Sequence, residues 1–572
     1  MAEVLISPGV LAIENDQSQV TSLPVQAGAA IAGPTVKGRI NIPTLVTTYS
    51  EYLSNFGSTF SSASDTYTFL TSISAYNYFQ NGGTSLLVTR VVSESAAWAP
   101  ATSSFVSSSL PSSSGSAFTL ETLSPGTIMN STSTETSGSL ASGSAENYRW
   151  QIVSPNTSSG VFSLVIRQGN DNSRNPSILE TFANLSLDPK SPNYIARVIG
   201  DQTIQVRGSG ADVYLQTTGS FPNASRYVRV KEVNLKTPDY LDNNGIAKPQ
   251  YTASIPVVGS GSFGAGTGDN VKAGMKLYND ITGTDTQGLT GASYTVALNL
   301  LANPNEFRYN IITVPGLTLD AHASVFTTLI SNTENRGDAI AVVDPSLYGS
   351  TVNTTIGNAT SQDSSYAASY WPWCQTTDPN TGQLVWVPAS TMIPGVYAYT
   401  DRVSEPWFAP AGINRGGLGT VRQVEKKLTQ TDKDNLYTGK VNPLATLPGR
   451  GVVVFGQKTL QTKASALDRV NVRRLLISLK SYISQVADNL VFEQNTAATR
   501  NQFLSQVNPY LESVQQRQGL YAFKVVMDDT NNTPDVIDRN QLVGAIYLQP
   551  TKTAEFIYLN FNILPTGATF PG

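Results

Sequence analysis

Chemistry at a protein site needs bases, nucleophiles or metal ligands that converge, and this chain of 572 residues supplies few of them. It has one histidine, His322, and one cysteine, Cys374. A zinc site takes three or four nitrogen or sulfur ligands, which one of each cannot furnish. No H-E-x-x-H, G-x-S-x-G or G-x-x-x-x-G-K-[ST] pattern occurs. His322 follows "PGLTLDA" at the start of a helical pattern, so we read it as structural or capping. Gly259, Gly261 and Gly264 spell G-x-G-x-x-G, but Gly266, Gly268 and Gly274 fall where a helix would have to begin. A loop is expected there. Asp528, Asp529, Asp535 and Asp538 gather carboxylates suited to Ca²⁺, yet not at EF-hand spacing, and a solvated hairpin loop is expected. The chain is therefore read as no enzyme, with no catalytic, cofactor-binding or metal residue and no cofactor.

Composition narrows the class further. Lys and Arg total 37 against 41 Asp and Glu, a net charge of −4. From Tyr366 onward the balance is 19 against 15, and before it 18 against 26. So weak a basic excess is no nucleic-acid footprint, but it suits head-to-tail contacts between copies. No window approaches 18 consecutive apolar residues, and neither a membrane span nor a secretion signal is expected. One cysteine excludes an internal disulfide framework and fits assembly in a reducing compartment.

With chemistry scarce, pattern carries the argument. In "TAEFIYLNFNIL" (553–564), Ile557, Leu559, Phe561 and Ile563 alternate with Tyr558, Asn560 and Asn562, the period of a strand with one apolar face. Burying those four side chains gains roughly 6–12 kcal/mol. Fixing about eleven backbones costs on the order of 11–22 kcal/mol, which ladder hydrogen bonds at about 1 kcal/mol each offset in part. Such an arm orders on a preformed sheet, supplied either by its own body or by a neighbouring copy.

The rest reads as a multidomain mixed α/β (α+β) chain. Residues 1–22 form an extended arm, with Val4, Leu5, Ile6 and Val10, Leu11, Ile13 on either side of "SPG". Residues 23–95 look like a compact α/β segment. It contains a strand in "QAGAAIAGPTVKG", a helix stopped by Gly57, a helix carrying Phe69, Ile73, Tyr76 and Phe79, and the strand "SLLVTRVV". Residues 96–300 read as a β-rich insertion on the outside, with Ser/Thr-rich 101–145 as a loop or β excursion. Residues 301–365 return to α/β. Residues 366–550 hold a "DPNTG" turn, long helices at about 466–492 and 497–518, and strands at about 520–528 and 541–549. Residues 551–572 are the C-terminal arm.

Several stretches together resemble the contractile tail sheath proteins of bacteriophages (myovirus type). They are "ISPGVLAIE", "AAIAGPTVKGRINIPTLVTTYSEYLSNFG", "YFQNGGTSLLVTRVV", "ITVPGL", "AVVDP", "SYWPWC", "FAPAGINRG", "VNVRRLLISLK", "NQFLSQVNPYL" and "GLYAFKVVMD". "GVFSLVIRQGNDNSRNPSILETFANLSLDPKSPNYIARVIGD" is similar to the sandwich-like domain of larger phage sheaths.

The resemblance implies a structural subunit polymerising as stacked hexameric rings around an inner tail tube, and contracting to drive the tube through the host envelope. Implied partners are further copies of the chain, the tail tube protein, and baseplate and tail terminator or neck proteins. Nucleic acid and membrane insertion are not among them. Implied localisation is the virion tail, assembled in the host cytoplasm. Strand exchange would join an N-terminal arm (Val4, Leu5, Ile6, Val10, Leu11, Ile13) and a C-terminal arm (Phe556, Ile557, Tyr558, Leu559, Phe561, Ile563) to a host sheet. That sheet would carry Tyr521, Phe523, Val525, Leu542, Ala545 and Tyr547. Arg469, Arg473, Arg474 and Lys480 recur at helical spacing, either as a basic face for an acidic tube or as a solvated face with local ion pairs. The alternatives are the sheath of a bacterial contractile injection system (bacteriocin-like or type VI) and, from another class, a tail-associated hydrolase or receptor-binding protein.

Overall fold

A computed structural model describes residues 25–62, 65–94, 97–105, 116–131, 138–270 and 281–556. Its centre is set by short apolar runs such as "AAIAG", "LLVTR", "IIT", "IAVV" and "AASYW", which are buried along their whole length. Strands apolar on both faces must be covered on both faces, which is the habit of parallel sheets flanked by helices. An eight-stranded sheet results, in the order Gly451–Val454, Val441–Leu447, Ala367–Trp371, Ile340–Val343, Ile311–Thr313, Ala29–Gly33, Leu86–Arg90, Thr44–Val46. The inner pairings are parallel, and the strand at each edge is antiparallel to its neighbour.

Alternate residues feed two cores. Ile31, Val88, Val342 and Tyr370 meet helices Tyr49–Phe56, Leu70–Gln80 and Ile393–Val403 on one face. Ala30, Leu87, Val343 and Trp371 meet helices Thr295–Leu300, Ala323–Arg336 and Gln430–Thr438 on the other. The helix starts follow local chemistry. Thr48 accepts the Glu51 N–H at 3.1 Å, and Thr429 with Asp432 forms a capping box. Gly57, at φ 81°, ends the first helix in a conformation costly for other residues.

One carboxyl lies deep in this body. Asp344, 3 % exposed at the end of strand Ile340–Val343, accepts the Ser390 N–H at 2.9 Å and the Ser390 hydroxyl. Burial pushes its pKa up to about 7, against the opposing effect of those hydrogen bonds. The Cys374 thiol lies near it, and Glu425 also lies near that thiol.

The inserted region has two sheets sharing one core, and a separate hairpin, Thr203–Arg207 with Tyr214–Thr218, whose turn side packs toward the body through Val213 and Leu215. Strands Ile178–Ser186, Val161–Gln168, Tyr148–Asn156 and Gly259–Ser262 form one of the two sheets, and Val228–Val233, Phe118–Pro125 and Pro100–Phe105 the other. Phe118 and Phe162 stack across them at 5.6 Å. Where the region leaves and rejoins the body, the chain closes on itself. Asn270 accepts the Ser93 N–H and donates to the Val91 carbonyl, both at 3.3 Å, and Ala99 and Thr267 exchange backbone bonds. A buried ion pair seats the lobe, with Lys37 Nζ 3.0 Å from Glu146 and Ser58 donating twice to the same carboxylate.

Two expected boundaries move. Leu289, Tyr294, Leu298 and Leu301 belong to a core beneath the main sheet, so residues 281–301 are body rather than insertion. Residues 367–454 supply three strands of that same sheet, so the separate C-terminal unit starts near the first long helix rather than at 366. Alternating apolar patterns identify strands and helices, but they carry no label for the core that each one joins.

Candidate assembly interface

The C-terminal unit is built from helices Val470–Asp488 and Ala497–Gln516 and the hairpin Leu520–Val526 with Ala545–Pro550. Leu475, Leu479, Phe503, Val507, Leu511 and Val514 form its core, with Phe523, Val525, Ile546 and Leu548 packed on it from the hairpin. The turn into the hairpin is tight: a Cβ on Gly519 would lie 2.5 Å from Val514 Cγ1. Pairing is antiparallel, Phe523 opposite Leu548 and Lys524 opposite Tyr547. The intervening loop is held by Asn532, which donates to the Val543 carbonyl at 2.8 Å and accepts the Val543 N–H at 2.9 Å.

This sheet has only two strands, and among the described residues no strand pairs with the outer edge of either. An isolated hairpin is marginal in water, and free edges are templates for further pairing. Its outer face carries Tyr521 and Tyr547, each 63 % exposed. The expected host residues divide between the faces, Tyr521 and Tyr547 outward, Phe523 and Val525 half-buried inward. Ala545 begins the second strand, while Leu542 lies in the loop before it and packs on the helices. The expected second strand thus starts four residues later than the sequence suggests.

Of the arm residues, Phe556 is described, 66 % exposed with its ring edge-on to Tyr437 at 6.1 Å. Val4, Leu5, Ile6, Val10, Leu11 and Ile13, and Ile557, Tyr558, Leu559, Phe561 and Ile563, lie outside the described residues.

The proposed basic stripe does not form as a face. Arg473 and Arg474 are each 4 % exposed. Arg473 lies 3.9 Å over the Tyr366 ring, and burial lowers its pKa. Arg474 donates to both Asp401 oxygens at 2.7 and 2.6 Å, with its guanidinium over Tyr397. Arg469 precedes the helix and pairs with Glu555 at 2.8 Å, leaving Lys480 near the surface beside the Tyr366 hydroxyl. Helical spacing put these cations on one side, but that side faces the body. Sequence reasoning missed Glu555 and its donors Tyr437 and Gln457, for nothing local marks a residue whose partners lie about a hundred positions away.

The residues with chemical potential do not converge. His322 is 4 % exposed and its Nδ1 accepts the Thr318 N–H at 3.3 Å, a structural placement. Cys374 is fully buried, and burial with Asp344 and Glu425 nearby pushes its thiol pKa far up, away from nucleophile chemistry. Gly259 and Gly261 sit in an edge strand rather than a loop, Gly261 against the Trp150 indole. Among the described residues no group of His, Cys, Asp or Glu is arranged to hold a metal, and no helix is long and apolar enough to cross a membrane.

Comparison with known families bears on the same two units. The phage tail sheath protein central domain matches residues 287–460, and the phage tail sheath C-terminal domain matches residues 462–564. The two matched stretches are similar to successive domains of phage tail sheath proteins and lie in chain order. The tail sheath protein of Vibrio phage KVP40 is 33 % identical over 366 residues, covering 58 % of this chain and 51 % of that one. The tail sheath protein of Enterobacteria phage T4 is 42 % identical over 185 residues, 32 % of this chain and 28 % of its own. The chain therefore spans about half or less of the length of these curated relatives. The crystal structure of a sheath tail protein from Listeria innocua superposes with a TM-score of 0.52 at 10 % identity, over 92 % of this chain and 95 % of that one, and so shares the mixed α/β fold. The start of the sheath central domain at 287 agrees with the boundary seen in the packing of Leu289–Leu301.

Proposed function

We propose that this chain is the polymerising subunit of a contractile phage tail sheath. Copies stack as hexameric rings around the inner tail tube, joined by exchange of strands. Contraction then drives the tube through the host envelope, with the baseplate and neck proteins at the ends of the polymer. The protein acts in the virion tail after assembly in the host cytoplasm. Its work is mechanical and uses no catalytic residue. Energy resides in contacts between subunits that differ in the extended and contracted lattices, and the donated arms keep neighbours connected while the bodies move.

The observation that carries this reading is the terminal hairpin, two strands whose outer edges no strand among the described residues pairs with, in a stretch that matches the sheath C-terminal domain. The N-terminal arm, 1–22, and the C-terminal arm, 551–572, would complete it, each in a neighbour. An arm that gains less from burial than it loses in backbone freedom orders only on such a template. Deleting residues 557–572 is expected to leave a folded, soluble subunit that no longer forms tubes by electron microscopy or sedimentation. Normal tubes from that truncation would refute strand donation by the C-terminal arm.

A further inference from the structure

Beyond the terminal hairpin the chain is fastened to its own body twice before the arm begins. Thr551 donates its N–H to the Gly519 carbonyl at 3.2 Å and its hydroxyl to the Gln518 carbonyl at 2.7 Å. Four residues on, Glu555 is gripped from three places. Arg469 Nε donates to its Oε1 at 2.8 Å, Gln457 Nε2 donates to the same oxygen at 3.0 Å, and the Tyr437 hydroxyl donates to Oε2. Gln457 Nε2 also donates to Thr553 Oγ1 at 2.6 Å. Tyr437 belongs to helix Gln430–Thr438, Gln457 to the stretch after strand Gly451–Val454, and Arg469 to the residue before the first long helix.

The grip is electrostatically consistent. Burial alone would raise the Glu555 pKa, but the donors outweigh it and hold the carboxyl below its ordinary value. Lys458 Nζ stands 3.9 Å over the Tyr437 ring, and Asp468 pairs with Arg469 at 3.0 Å. These contacts converge on a six-residue stretch, 551–556, with no secondary structure of its own. A stretch without a backbone ladder is placed by its side chains or not at all.

We propose that Glu555, with Arg469, Gln457 and Tyr437, is a latch that fixes where the C-terminal arm departs from its own subunit. The latch rests on the strand-donation reading and adds to it the point from which the strand is donated. With the latch closed, the free arm starts at Ile557 and its root moves with the helical unit. With it open, residues 552–556 join the arm and add roughly 17 Å of reach, at about 3.3–3.6 Å per residue. A fixed root pre-organises the arm for one neighbouring sheet, and slack removes that pre-organisation. Glu555 is thus a positioning residue. It acts within its own subunit, and it decides where the pairing strand begins.

Lys552, exposed and between the two fastenings, gives the test a handle. In the full-length chain held unassembled in dilute solution, trypsin cleavage after Lys552 is expected to be at least tenfold faster in Glu555→Gln than in the parent. The melting temperature should be unchanged. Tyr437→Phe, which removes one donor and no charge, is expected to fall between them. The same variants, concentrated, are expected to need at least threefold more protein before tubes appear. Parental cleavage rates in Glu555→Gln overturn the latch, and so does a parental threshold for tubes despite faster cleavage. The cleavage measurement needs no polymer. Failure of the latch therefore leaves the tubes of the parent and the effect of deleting 557–572 untouched. Failure of strand donation would instead show as tubes formed by the truncated chain, whatever trypsin reports.

Discussion

The core sheet and the terminal hairpin are made from similar residues and finished differently. At one edge of the core sheet the backbone is crossed by residues 416–418, with Leu418 donating to Val452 at 2.9 Å and Val454 to Gly416 at 2.8 Å. The other edge strand, Thr44–Val46, is three residues long and antiparallel to its neighbour. The hairpin strands are seven and six residues long, packed onto two helices on one face, and among the described residues no strand pairs with either outer edge. Propensity does not separate the two regions. What separates them is whether the described residues supply edge cover, and an uncovered sheet edge is a template for a further strand.

Substitutions can break or sharpen that contrast. The largest effect is expected where the body closes on itself. Arg473→Glu would set a buried carboxylate beside the Tyr366 ring and should cost about 3–5 kcal/mol in denaturant unfolding. Parental stability in this variant would mean that Arg473 faces solvent and that the basic stripe is available to a tube after all.

A pH effect should come next, confined to the body. The folded pKa of Asp344 lies near 7, above the 3.8 of a free aspartate, so the folded state binds the extra proton. Its contribution is fully present below about pH 4 and is lost as pH rises through about 7, at about 1.4 kcal/mol per unit over that span. Asp344→Asn should flatten the fall in melting temperature across this window. An unchanged profile would show that the carboxyl is not buried as described.

The smallest change in folding stability is expected at the hairpin. Tyr547→Lys on its exposed face should alter stability by less than about 0.5 kcal/mol, while placing a charge where a further strand would pair and so suppressing tubes. Loss of stability comparable to that of Arg473→Glu would make the hairpin part of the body and erase the contrast.

Much of this was legible in the residues. The hairpin, both long helices and the buried strands follow from periods of two and 3.6 together with Gly57, Gly519 and the "DPNTG" turn. The faces of the long helix were not legible, because Arg473 and Arg474 look solvated until their partners are known to lie against them, Tyr366 about a hundred positions earlier and Asp401 73 positions earlier. The edge of the insertion was misjudged for a related reason. Residues 289–301 carry the short apolar pattern of any packed segment, and nothing in it names the sheet beneath. Glu555 looked like the polar start of an alternating strand, and its real partners arrive from three unconnected stretches.

The neck formed by Val91, Ser93 and Asn270 has a consequence for how such a chain can change over generations. Because the two crossings are sewn to each other, whatever hangs beyond them adds no gap to the sheet below. A replacement lobe would need to offer new company to Lys37, Gly38, Ser58 and Asn299, and to Arg90 in place of the Pro125 carbonyl. The body works as a socket, and the lobe as a fitting that evolution or an engineer can trade.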